Sequence, residues 1–119
     1  MNKCIKRTAL LLFALMALGF TAASAEEGVG VFYSNYFQGK PMANGAVFDQ
    51  EGLTAAHKTL SFGTKVKVTN PATNKSVVVT VTDRMARHNG NLIDITRRAA
   101  REIGIEKKGR SHVSVEVQP

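Results

Sequence analysis

Leu53–Asn70 reads LTAAHKTLSFGTKVKVTN, and its two halves ask for different structures. Leu53–Leu60 is a compact polar segment carrying His57 and Lys58, and its composition suits one or two helical turns. Gly63 allows the backbone to turn with φ of either sign, because it has no Cβ to clash. Lys65-Val66-Lys67-Val68-Thr69 then alternates polar and apolar, the period-2 pattern of a half-buried strand. This stretch therefore sets a histidine against a rigid sheet. The next apolar run, Ser76–Thr82 (SVVVTVT), is β-branched and is expected to be a central strand buried on both faces. Asn70–Asn74 between the two runs is a turn by composition, so Lys65–Thr82 forms a hairpin. Asp83 stands where that hairpin ends, which places a carboxylate and a histidine on neighbouring strands.

Working outward, Glu26–Gly28 reads as a frayed terminus and Val29–Ser34 as a first strand. Ser34–Gly45 (SNYFQGKPMANG) is a loop rich in Gly, Asn and Pro, and Val47–Asp49 is a short strand or turn. Downstream, Asp83–Asn91 is a polar loop and Leu92–Ile95 a short strand. Thr96 is a suitable N-cap for a helix over Arg97–Ile103, which Gly104 stops. Lys107–Arg110 is a basic turn, and His112–Val117 alternates as a closing strand. Short strands with one helix before the last suggest a small β-barrel.

Residues 1–25 have the layout of a secretory signal peptide: Lys3, Lys6 and Arg7, an apolar run Thr8–Phe20, then Ala23-Ser24-Ala25 before Glu26-Glu27. The apolar run is shorter than the roughly 20 residues that span a bilayer. The expected organisation is a signal peptide over 1–25 and one domain over 26–119. A lipoprotein signal needs a cysteine after the apolar run, and the single cysteine, Cys4, precedes it. The expected mature chain is thus exported to the periplasm or beyond, not lipidated, without a membrane anchor and monomeric. Without disulfides its fold rests on packing and hydrogen bonds. Three of the 16 basic residues and none of the 9 acidic ones fall in 1–25, so the remainder carries 13 basic against 9 acidic residues, a net +4. A modestly basic exported domain suits an anionic cell wall. Export and the lack of any recognition motif argue against nucleic acid. His57, His88 and His112 lack metal-ligand spacing, no serine sits in a nucleophile elbow and no glycine-rich phosphate loop is present, so no metal or cofactor is expected.

Leu53–Leu60, the Gly63-Thr64 turn with its strand, Val77–Arg84 and Leu92–Ala100 together resemble the RlpA-like (rare lipoprotein A) family. Tyr33, Gly39, Ala43-Asn44-Gly45 and Phe48-Asp49 match the same pattern in the same order. The resemblance implies a mainly β fold, a six-stranded double-psi β-barrel with one or two short helices and a shallow groove. It also implies binding of peptidoglycan glycan strands. Active members are lytic transglycosylases that cut between N-acetylmuramic acid and N-acetylglucosamine and leave an anhydro end. Related barrels, the expansins, suggest the alternative of a wall-binding module that does not cleave.

The same resemblance places the catalytic aspartate at Asp83 and a supporting histidine at His57, which would hold Asp83 or a sugar hydroxyl. One carboxyl group suffices for such an enzyme, since it can protonate the leaving oxygen and then accept the proton of the attacking 6-hydroxyl. Tyr33, Asn44, Lys58 and Arg84 are the expected substrate-binding residues. Among the aromatic residues Tyr33, Tyr36 and Phe37, which offer flat faces to sugar rings, Phe37 is the one expected to fill the core. Asp49 and Asp94 are expected to be structural, satisfying backbone donors. Arg97, Arg98 and Arg101 form a solvated helix face. The sequence departs from the family at Ala46, where active members carry a glutamate, and at Met85-Ala86, where the family continues Gly-Pro.

Overall fold

The structure, a computed structural model, describes residues 25–119. The expected signal peptide lies, but for Ala25, outside the described residues. Six strands close into a barrel: β1 (Glu26–Phe32), β2 (Thr54–His57), β3 (Lys65–Asn70), β4 (Lys75–Arg84), β5 (Ile93–Ile95) and β6 (Arg110–Val117). Around the barrel the order is β1-β5-β2-β4-β3-β6. β1 with β5 and β2 with β4 run parallel, and the other neighbours are antiparallel. Closure leaves no unpaired sheet edge, which suits a small domain without disulfides.

The core follows from alternation. Val66 and Val68 of β3, Val77, Val79 and Val81 of β4, Ile93 and Ile95 of β5, and Val113 and Val115 of β6 all point inward. Helix α1 (Arg97–Ile103) plugs the barrel with Ala99, Ala100 and Ile103. Its ends form as the sequence indicates. Thr96 Oγ1 accepts from the Ala99 N–H, and Gly104 closes the helix in the left-handed region at φ 78°. Asn70, buried at the end of β3, donates Nδ2 to the Ile103 carbonyl at 2.8 Å, tying the β3–β4 hairpin to the C-terminus of α1. Gly30 is needed for packing, since a Cβ there would sit 2.9 Å from Val113 Cγ2.

Several sequence expectations change. Thr54–His57 is a strand rather than helical turns: it fills the gap between β4 and β5, and two-sided pairing overrides the helix propensity of Ala-Ala. Ser76–Thr82 is not buried on both faces, because Val78 is 44 % exposed on the outer one. The strand also continues through Asp83 to Arg84. Glu26–Gly28 is not frayed but pairs with Val115, Ser114 and Val113 of β6. At Val47–Asp49, expected as a short strand or turn, Val47 makes a single bridge to Pro41, and a 3₁₀ turn forms at Asn35–Phe37 within the expected loop. Among the described residues no helix is long and apolar enough to cross a membrane.

Candidate active site

The ladders bring two acids to one level of the barrel wall. Val31 of β1 pairs with Asp94, Asp94 with Ala56, and Ala56 with Asp83, so four strands present a single row. The neighbouring row, Phe32, Ile95, Ala55 and Val81, turns toward the core. Alternation therefore puts Asp94, Ala56 and Asp83 on the outer face. Ala56, the smallest side chain of the row, separates the two carboxylates.

A β-bulge aims Asp83. Along β2 the partners step from Ala55↔Val81 to Ala56↔Asp83, passing over Thr82. Thr82 already points outward, where its Oγ1 meets Met42 Sδ. Strict alternation would have turned Asp83 inward. The extra residue re-aims it outward, as bulges beside active sites commonly do.

Asp83 is then fixed by three donors: the Tyr33 hydroxyl to Oδ2 at 2.6 Å, and the Ala43 and Arg84 N–H groups to Oδ1, each at 2.9 Å. The Ala43 donor comes from the 41–47 turn, which also rests on β4 through Asn44 N–H to the Thr82 carbonyl at 3.2 Å. Asn44 braces this turn, its Oδ1 accepting from the Ala46 N–H at 3.0 Å. Tyr33 is 7 % exposed and packs on Phe48 with 4.3 Å between ring centroids. Burial, the bond to Asp83 and the charges of Asp83 and Asp94 push its phenol well above the ordinary range, so it remains a donor. The expected roles of the rings are reversed: Tyr33 fills the second apolar cluster, with Phe48, Ala56 and Met85, while Phe37 is 43 % exposed.

The backbone donor expected at Asp94 is missing from its Oδ1 among the described residues. Its Oδ1 is sealed from solvent and has no hydrogen-bond partner. Burial first, and then the charge of Asp83, push its carboxyl from an ordinary 3.8 up to about 7. A carboxyl group that exchanges its proton near neutrality beside a second, anchored carboxylate has the properties of a general acid. The apolar neighbours in Ile93-Asp94-Ile95 suggested a structural role. The available signal was parity: an acid between two core residues faces away from the core.

His57 takes a different place from the one expected. Its ring is buried, with Nδ1 accepting from the Thr59 and Leu60 N–H groups, both at 3.1 Å. Nε2 therefore carries the proton and donates to Glu26 Oε1 at 3.2 Å. Both ring nitrogens are occupied, and neither reaches Asp83. His57 instead shapes the 57–60 turn, whose carbonyls at His57 and Leu60 receive Arg84 Nη1 at 3.1 and 2.7 Å. The Arg84 guanidinium lies 4.6 Å from the Phe62 ring centroid. Lys58 is half-buried just beyond β2. Asp49 accepts from the Glu51 N–H, a structural role. Arg101 is not merely solvated but holds Glu51 at 2.7 Å. Ala46 is exposed on the turn above Asp83 and offers no side-chain acceptor.

Among the described residues no three His, Cys, Asp or Glu side chains converge as a metal site. A cleft of about 260 Å³ lies elsewhere, lined by Arg101, Gly104, Glu106 and Lys107. It contains neither acid of the row, so the chemistry points to the outer face of the barrel wall rather than to this cleft.

Known proteins are similar to this chain in sequence and fold. The chain is 46 % identical over 97 residues to a probable endolytic peptidoglycan transglycosylase RlpA of Synechocystis, covering 82 % of this chain and 30 % of that protein. It is 42 % identical over 99 residues to the endolytic peptidoglycan transglycosylase RlpA of Vibrio cholerae, covering 83 % and 36 %. It thus spans about a third of the length of these curated relatives. Among solved structures, a Clavibacter michiganensis expansin in complex with cellohexaose superposes with a TM-score of 0.62 at 22 % identity, over 81 % of this chain and 51 % of that one. This likeness concerns the fold alone. The family model described as lytic transglycolase matches residues 26–115. The barrel and this match over nearly all the described residues place the chain in the lytic transglycolase family of double-psi β-barrels.

Proposed function

We propose that this barrel is an exported, monomeric peptidoglycan lytic transglycosylase that cleaves the bond between N-acetylmuramic acid and N-acetylglucosamine and leaves an anhydro end. The observation that carries the reading is Asp94, whose carboxyl is pushed up to about 7 in the same row as the anchored Asp83. Asp94 protonates the leaving glycosidic oxygen. Asp83, oriented by Tyr33, stabilises positive charge developing at the sugar and receives the proton of the attacking 6-hydroxyl. This divides between two groups the acid and base work that the sequence assigned to Asp83 alone. His57 and Asn44 position the turns around the acids, and Arg84 and Lys58 face the acidic substituents of the glycan.

The experiment is digestion of purified sacculi, intact and stripped of stem peptides, by residues 26–119 and by Asp83→Asn and Asp94→Asn. Mass spectrometry should find anhydro-muropeptides from the wild type and none from either variant. Product formation by both variants would refute the assignment of the acids. One observation favours the second reading, an expansin-like barrel that binds without cleaving: Ala46 leaves the turn over Asp83 without the family's glutamate. Sacculi that bind the wild type and yield no product would establish that reading, and Ala46→Glu should then introduce cleavage.

A further inference from the structure

We propose that a carboxylate-bearing glycan strand lies across the barrel on two exposed aromatic steps, one on each flank of the acid row, each carrying a cation. The inference rests on the glycan-cleaving reading above and adds where the strand binds. The first step is Tyr36, 68 % exposed, with Phe37 beside it at 5.3 Å between centroids. The second is Phe62, 44 % exposed, in the turn before β3. A continuous series of contacts joins them through the acid. Tyr36 touches Phe37, Phe37 touches Tyr33 at 5.8 Å, and Tyr33 bonds Asp83. Asp83 then accepts from the Arg84 N–H, and the Arg84 guanidinium lies over Phe62.

The topology sets the two steps apart. Tyr36 and Phe37 follow β1, Phe62 precedes β3, and β5, β2 and β4 lie between, carrying Asp94, Ala56 and Asp83. On this side of the closed barrel the acid-bearing strands lie between β1 and β3, and on the other side only β6 does. Exposed rings are suited to stack on the apolar faces of sugars, and neither is required by the core.

Charge narrows the occupant. Lys40 Nζ sits 3.5 Å from the Tyr36 ring centroid, and Arg84 covers Phe62. A cation held on each ring leaves the other ring face for the sugar and offers a partner for a carboxylate. A neutral glycan would use the rings and leave both cations without a counter-charge.

The test uses residues 26–119 carrying Asp83→Asn, so that binding is read without turnover. Probes are peptidoglycan glycan strands stripped of stem peptides, which keep their lactyl carboxylates, and N-acetylglucosamine oligomers of matched length. Tyr36→Ala and Phe62→Ala should each weaken binding of the long strand about fivefold, as loss of one aromatic contact implies. Melting temperature should not move, because both side chains are exposed. Lys40→Gln should weaken binding of the carboxylate strand and leave the neutral oligomer unchanged. Unchanged affinity in either ring variant would overturn the proposal, as would affinity independent of strand length. A dimer that Tyr36→Ala dissociates would assign the rings to a second copy of the chain and also overturn it. Parent chains that bind as predicted but release no product, tested with Asp83 restored, would refute the catalytic reading alone.

Discussion

Replacing Asp94 with asparagine should raise stability while abolishing activity. The buried carboxyl is pushed from 3.8 to about 7, so the folded state favours its protonated form. The associated stability is fully present below the unfolded value near 3.8 and is lost as pH rises through about 7. The full shift at about 1.4 kcal/mol per unit would cost ~4 kcal/mol at pH 8. Asp94 keeps part of its surface in water, and screening reduces this to about 1–2 kcal/mol. Asparagine has nearly the shape of the protonated acid and never carries the charge. At pH 8 the variant should therefore melt about 5–10 °C above the wild type, on the usual scale for a domain of this size. At pH 4 the two should coincide. Thermal and urea unfolding of residues 26–119 at both pH values would measure the difference. A variant destabilised at pH 8, or a difference that does not change between pH 4 and 8, would refute the buried, proton-exchanging acid.

Other residues give independent checks. Tyr33→Phe keeps the ring in its apolar cluster and removes the donor to Asp83, so release of soluble muropeptides should fall about 10- to 100-fold, the worth of a charge-assisted hydrogen bond. His57→Ala leaves two backbone N–H groups without an acceptor and should cost about 2 kcal/mol in urea unfolding. His57→Asn should recover part of that loss, and if it also recovers cleavage, proton transfer by His57 is excluded. Gly30→Ala drives a Cβ to 2.9 Å from Val113 and should destabilise the barrel by about 1–3 kcal/mol without changing the pH profile of cleavage.

Features decided by local chemistry were legible in the sequence. The β3–β4 hairpin follows from alternating Lys-Val-Lys-Val, the polar Asn70–Asn74 turn and the valine run. Helix α1 follows from Thr96, the small apolar face and Gly104. β2 was not legible, because Ala55 and Ala56 are strand residues only by virtue of pairing with β4 and β5. The family resemblance singled out Asp83, but its outward aim depends on a bulge that no composition signals. The outward side of Asp94 follows from parity, yet its flanking isoleucines suggested only a structural role, and its proximity to Asp83 arises only where the strands meet in the closed barrel. His57 was recognised as a notable residue, and its hydrogen bonds show it shaping a turn.

The pairing of β1 has a kinetic consequence. Its two partners, Ile93–Ile95 and Arg110–Val117, are made last. The first strand thus has nothing to pair with until nearly the whole chain is present, and closing such long loops precedes any gain from the contacts. The expected behaviour is slow, all-or-none folding in which an incomplete chain stays open. A polypeptide with this order of contacts remains threadable until its final strand arrives.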